Sequence, residues 1–274
     1  MDAFQAIVLG IVQGLTEFLP ISSSGHLLIV PALLGWEDPG SAFTAVTQLG
    51  TMAAVLLYFR KDLWNIARAW FLSLWLKPEL RGTLDARMGW YIGLGTLPVA
   101  VFGLLFNDQI EDGARSLYLV GTTLIVLGLV LLLAEKLAKH ERKIEDIKAR
   151  DAVVIGFAQA MALIPGVSRS GATITAGLFF GFERAAAARY SFLLSVPAVV
   201  LSGLFEMRKI GDPGGAGAVE TALATLAAFI VGYAAIAWLL KWLTNHSMMI
   251  FVVYRVALGI IVIALAATGL IEAS

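Results

Sequence analysis

"AIVLGIVQGLTEFLPISSSG" (residues 6–25) and "AVVIGFAQAMALIPGVSRSG" (residues 152–171) lie 146 positions apart and align without a gap. Seven of the twenty positions are identical, and most of the others are apolar in both. Apolar composition alone would not set Gln13 against Gln159 or "SSSG" against "SRSG", so the pair reads as an internal duplication. Each copy is a short apolar helix, a break rich in Pro and Gly, and a second short helix. Residues 4–18, at about 1.5 Å per residue, reach only about 22 Å, short of the roughly 30 Å hydrocarbon layer. Pro20 and Gly25 in one copy, and Pro165, Gly166 and Gly171 in the other, interrupt the helical ladder. Segments 3–34 and 152–182 are therefore expected to be re-entrant helical hairpins. Irregular backbone at that depth survives only where protein buries it or it lines a wet cavity.

Outside these segments the chain is strongly apolar. Of its 274 residues 59% are hydrophobic, and mean hydropathy is +0.83, more apolar surface than a soluble domain of this size could hide. The expectation is an all-α polytopic membrane protein with about six full transmembrane helices, 42–59, 90–106, 117–134, 186–205, 220–240 and 250–270, beside the two hairpins. A net charge of zero gives no global field for nucleic acid. The absence of cysteine removes disulfides, thiolate chemistry and cysteine metal sites. "MDAFQAIVLG" lacks a basic region ahead of its apolar run, so it is expected to be mature structure rather than a cleaved signal.

The basic residues sort to one side. Sixteen of the twenty, among them Arg60, Lys61, Arg142, Arg189 and Arg255, fall on one set of flanks; Arg115, Arg208 and Lys209 fall on the other, and Arg169 lies inside the second copy. The basic side is expected to be cytoplasmic, with 36–41, 107–115 and 207–219 outside. Three full spans, an odd number, separate the two copies. The duplication thus predicts two inverted halves, 1–140 and 150–274, with a site between their broken helices.

Chemistry concentrates at the two breaks. Between Ala3 and Leu34 the only ionisable side chains are Glu17 and His26. An acid and an imidazole at membrane depth are costly and mark a site. Arg169 occupies the matching break, at the repeat position of Ser23. Around these stand Ser22, Ser24, Gly25, Ser168, Ser170, Gly171 and Thr173. Small residues and hydroxyls also serve helix packing. A guanidinium fork, amides at helix N-termini and several hydroxyls together suit a phosphate anion. Glu17 and His26 add proton transfer, or an oxygen ligand for a hard cation.

"QGLTEFLPISSSGH" (13–26) and "PGVSRSGATIT" (165–175) resemble the two signature segments of the undecaprenyl-pyrophosphate phosphatase family, integral membrane enzymes linked to bacitracin resistance. "TQLGTMAAVLLYFRKDLW" (47–64) and "RYSFLLSVPAV" (189–199) resemble it too, so the likeness spans essentially the whole chain. It implies hydrolysis of a long polyprenyl pyrophosphate to the monophosphate and phosphate, recycling the carrier lipid of cell-wall synthesis in the bacterial inner (plasma) membrane. It also implies a divalent cation, magnesium or calcium. The family's paired acidic or amide positions, four apart, are Gln13 and Glu17 here, which leaves one carboxylate in the pair. The expected mechanism has Arg169 and the Ser168–Gly171 backbone holding pyrophosphate while Ser23 attacks phosphorus and Glu17 or His26 takes its proton. Attack by His26 or by water is an open alternative. The site is expected to face the outer side, and the reading admits a homodimer. Inverted repeats with broken helices are also a transporter design, so movement of a lipid phosphate across the bilayer is the second functional class.

Overall fold

The computed structural model describes residues 1–106, 116–206 and 217–272. The expected outer segment 107–115, and positions 207–216 of the expected outer segment 207–219, lie outside these residues. Eleven α-helices are described and no strand is named among them: α1 (Ala3–Phe18), α2 (Ser23–Leu34), α3 (Gly40–Tyr58), α4 (Arg60–Trp75), α5 (Leu84–Leu105), α6 (Leu117–Leu137), α7 (Ala149–Ala160), α8 (Arg169–Phe179), α9 (Arg184–Glu206), α10 (Ala218–Trp242) and α11 (Met249–Ala267). Five of these, α5, α6, α9, α10 and α11, are long and apolar enough to cross a bilayer. The sixth expected span, 42–59, is α3, whose 19 residues extend about 28 Å at 1.5 Å per residue. The protein is an all-helical, multi-pass membrane protein.

Both breaks fall where Pro and Gly place them, and both restart their helix in the same way. Ser22 has φ 77° and its Oγ accepts from Gly25 N; Ser168 has φ 70° and its Oγ accepts from Gly171 N. A left-handed conformation is costly for a residue with a Cβ. The hydroxyl cap, worth about 1 kcal/mol, offsets part of that cost and satisfies an otherwise orphaned amide. Each short helix therefore begins at its break, with its positive dipole end there.

Small residues set how the helices approach. A Cβ on Gly10 would run into the Ala224 backbone of α10, and a Cβ on Gly156, the repeat partner of Gly10, into the Gly95 backbone of α5. Gly121 and Gly259 join α6 to α11 in the same manner. Without a hydrophobic drive between helices in lipid, such backbone contact supplies the packing energy.

The 60–87 segment is more structured than a charged connection. Its first part is α4, which buries Ile66 and Ser73 and exposes Trp64, Phe71 and Trp75; a 3₁₀ turn, Pro78–Gly82, follows. At one end Asp62 pairs with Arg189 of α9 at 2.5 Å, and further along Trp70 meets Trp90 edge-on. Arg142–Asp151 at 2.5 Å and Arg184–Glu135 at 2.6 Å tie the same basic end together.

One sorted charge is corrected. Arg255 was placed among the sixteen flanking residues, but it is 0% exposed inside α11, and fifteen flank residues remain. Its guanidinium donates to Pro20 O and Val167 O, each at 3.1 Å, and to Gly166 O at 3.4 Å. The broken ladders leave these carbonyls without helical donors, and a planar fork can serve several at once.

Candidate active site

A cleft of about 110 Å³ opens between the two breaks, lined by Gln13, Glu17, Ser22, Ser23, Ser24, Thr44, Gln48, Ala162, Ser168 and Arg169. It is built where the starts of α2 and α8 converge beside the C-terminal end of α1. Ser23 opens α2, and its Oγ donates to Glu17 Oε2 at 2.6 Å. Gln13, one turn before Glu17 on the same face, donates its Nε2 to that oxygen at 3.1 Å. Across the cleft, Arg169 Nη2 stands 3.9 Å from Glu17 Oε1, longer than a hydrogen bond. Arg169 Nη1 and Gln13 Oε1 are buried without a hydrogen-bond partner. A cation donor and a neutral oxygen acceptor therefore keep unused capacity around one carboxylate.

Seven of the expected site residues meet at this cleft: Gln13, Glu17, Ser22, Ser23, Ser24, Ser168 and Arg169. The other five are not among its lining residues. Ser170 donates to Leu19 O at 3.0 Å, linking one break to the other. Thr173 bonds Arg169 O at 2.8 Å and Ser191 Oγ at 2.6 Å, fastening α8 to itself and to α9. Gly25 and Gly171 admit close neighbours: a Cβ would press on Val120 Cγ1 at 3.0 Å and on Arg255 Nη1 at 2.6 Å respectively.

His26 is also turned away from the cleft. Its Nδ1 lies 2.7 Å from Ser22 O, and its Nε2 lies 2.7 Å from Tyr254 Oη. A carbonyl can only accept, so Nδ1 carries the proton and, in the neutral ring, Nε2 accepts from the tyrosine hydroxyl. The ring is fixed on both sides and stacks on Tyr254 at 5.6 Å. It braces the backbone of the left-handed residue that precedes Ser23.

Five residues of this neighbourhood were not singled out from sequence: Thr44, Gln48, Ala162, Tyr254 and Arg255. Arg255 carried a legible signal, an ionisable side chain within an apolar run. The others are uncharged, and nothing in the spacing marks them.

The sequence model of the bacitracin resistance protein BacA family matches residues 6–261. The chain belongs to this family. Relatives within it are similar over all or nearly all of their length. A protein of Nocardioides sp. is 57% identical over 274 residues, covering 100% of both chains. One of Thermobifida fusca is 54% identical over 271 residues, covering 99% of this chain and 92% of its own. One of Mycolicibacterium smegmatis is 53% identical over 277 residues, covering 100% of both. All three carry the name undecaprenyl-diphosphatase.

Proposed function

We propose that the chain is an undecaprenyl-diphosphatase, hydrolysing undecaprenyl pyrophosphate to the monophosphate and phosphate. The observation that carries the chemistry is the 2.6 Å bond from Ser23 Oγ to Glu17 Oε2, a hydroxyl already aimed at a proton acceptor. Arg169 and the first-turn amides of α2 and α8 hold the terminal phosphate. Ser23 Oγ forms a bond to the terminal phosphorus while Glu17 takes the hydroxyl proton. The bridging P–O bond breaks, and the prenyl monophosphate departs with the bridging oxygen. Glu17 hands that proton to the departing monophosphate. Water, losing a proton to the freed carboxylate, then attacks phosphorus, the Ser23 Oγ–P bond breaks, and Oγ takes the proton back from Glu17 as phosphate leaves. Ser23 is favoured over His26 as nucleophile because both imidazole nitrogens are engaged elsewhere.

A magnesium or calcium ion belongs to the same reading. Among the described residues no group of three or more His, Cys, Asp or Glu converges. The available donors are the unpartnered Gln13 Oε1 and the Glu17 carboxylate. Magnesium is commonly held by one or two carboxylates, with waters and substrate phosphate oxygens completing the shell, and this donor set fits that pattern. When bound, such an ion offsets phosphate charge.

The inverted repeat is part of the proposal, with halves 1–140 and 150–274 and re-entrant hairpins 3–34 and 152–182. Its support is an exchange of partners. Gly10 of the first copy packs on α10 of the second half, and its counterpart Gly156 packs on α5 of the first. The site is read as facing the outer side of the bacterial inner membrane, opposite the basic end. A second small space of about 10 Å³, roughly one water, lies beside Glu17 and Arg169 and is walled by Phe18, Val55, Phe192 and Val199.

The test is phosphate release from undecaprenyl pyrophosphate by purified protein in detergent, where no second compartment exists. Release by the native chain and its loss in Ser23→Ala are expected. A native protein that binds the lipid and releases no phosphate would refute the reading.

A further inference from the structure

The two copies share their caps but differ in what their breaks show to the surroundings. In the first, Phe18 is 3% exposed, and Leu19 and Ile21 are buried. In the second, a 3₁₀ turn, Met161–Leu163, precedes the break, and Met161 and Ile164 are 45% and 46% exposed. Ile164 is the repeat partner of Phe18, so the two breaks differ at that position, whereas Met161 and its partner Leu15, at 43%, are about equally exposed.

Ala162, inside that turn, is the one apolar residue among those lining the cleft; the rest carry hydroxyl, amide, carboxylate or guanidinium groups. An apolar track continues outward from it. Phe157, exposed and one turn before Met161, lies 6.3 Å from Phe102, which stacks on Phe106 at 6.1 Å. Helix α5 runs alongside without close packing at this point: a Cβ on Gly103 would come no closer than 3.9 Å to Leu163 Cδ2.

A pyrophosphate ester held in this cleft must pass its hydrocarbon through one of the walls. Burying apolar chain against hydroxyls and charges would strip them of water without a hydrogen bond in return. We propose that the prenyl chain leaves the cleft over Ala162 and lies along Met161, Phe157, Phe102 and Phe106, a tail subsite formed by the second break and α5. The proposal rests on the polyprenyl-pyrophosphatase reading. Lipid would cover this surface equally well with its own tails, so the track gains packing rather than hydrophobic transfer energy. Trimming one of its side chains therefore has a small effect, and obstruction has a large one.

The cysteine-free sequence allows obstruction at a chosen point. Met161→Cys and, as a control on the lipid-facing side of α6, Leu133→Cys are alkylated with a bulky maleimide. Each protein is then assayed on undecaprenyl pyrophosphate and on the one-isoprene dimethylallyl pyrophosphate. Alkylation at 161 is expected to lower the long-to-short rate ratio roughly 10-fold or more, and alkylation at 133 to leave it unchanged. Phe157→Cys, alkylated in the same way, should follow 161. An unchanged ratio at 161, or equal loss of both activities there, would overturn the tail subsite. Failure of the unmodified protein on both substrates would instead overturn the phosphatase reading.

Discussion

Glu17 receives the hydroxyl of Ser23 and the amide of Gln13 on a single oxygen, and this arrangement separates the expected effects of substitution. Ser23→Ala should remove turnover and leave lipid binding, because Arg169 and the amides of α8 remain. Glu17→Gln should cost about 10²–10⁴-fold in kcat, the usual range for a general base. Raising magnesium or calcium should not restore it, and recovery with added cation would recast Glu17 as chiefly a metal ligand. Arg169→Lys should also fail, since a point charge does not reproduce the fork. A loss of about 2–4 kcal/mol corresponds to roughly 30- to 1000-fold in kcat/KM, and near-native kinetics in the Lys variant would reduce Arg169 to a structural role. Most of these residues were visible in the sequence because an ionisable or hydroxyl group in an apolar run has few innocent explanations. Arg255 obeys the same rule, yet its place near the start of an apolar run matched the flanking charges of the other spans. Only the fold shows that it is buried against the two breaks rather than at the edge of its span. Tyr254 has no such signal, because an aromatic residue on a membrane helix looks the same whether it faces lipid or holds a histidine.

At the level of helices, Pro and Gly located the breaks and the long apolar runs located the spans. Helix α4 escaped because its apolar side chains are interleaved with Arg60, Lys61, Asp62 and Arg68, a pattern that resembles a solvated connection by composition. The second 3₁₀ turn escaped as well, since "MAL" carries no punctuation of its own. The glycine contacts were equally illegible, because only the partner helix tells a packing glycine from a breaking one. They make a specific prediction. Gly156→Leu should force α7 away from α5, and overpacking of this kind costs roughly 1–3 kcal/mol. The midpoint of thermal unfolding in detergent should fall, while Gly93→Leu, on the same helix as Gly95 but with nothing near its missing Cβ, should not lower it comparably. Equal midpoints for the two variants would show that the α5–α7 contact is not tight in the membrane.

For the molecule as a whole, the charge bias survives the removal of Arg255 and agrees with the ion pairs gathered at the basic end. Single cysteines at Glu37 and Lys139 should therefore differ in intact cells: an impermeant thiol reagent should label position 37 and not 139. The reverse pattern would invert the proposed orientation and move the cleft to the other face.

The bonds of Arg255 also carry a consequence for how the chain is made. Its guanidinium closes Pro20 O in the first copy and Val167 O in the later one, yet it belongs to α11, which is synthesised after both breaks. Until α11 has been synthesised, the first break has no donor for that carbonyl, and an unpaired backbone group at this depth is costly. The nascent protein therefore carries an unfinished cleft until Arg255 has been made. A chain terminated before Arg255 should insert its earlier helices and yet remain soft at residues 19–21, open to proteolysis or hydrogen exchange there. Supplying α11 as a separate polypeptide should restore protection. Arrival of α11 would thus act as the assembly checkpoint, so that a product cut short before it is inert by construction.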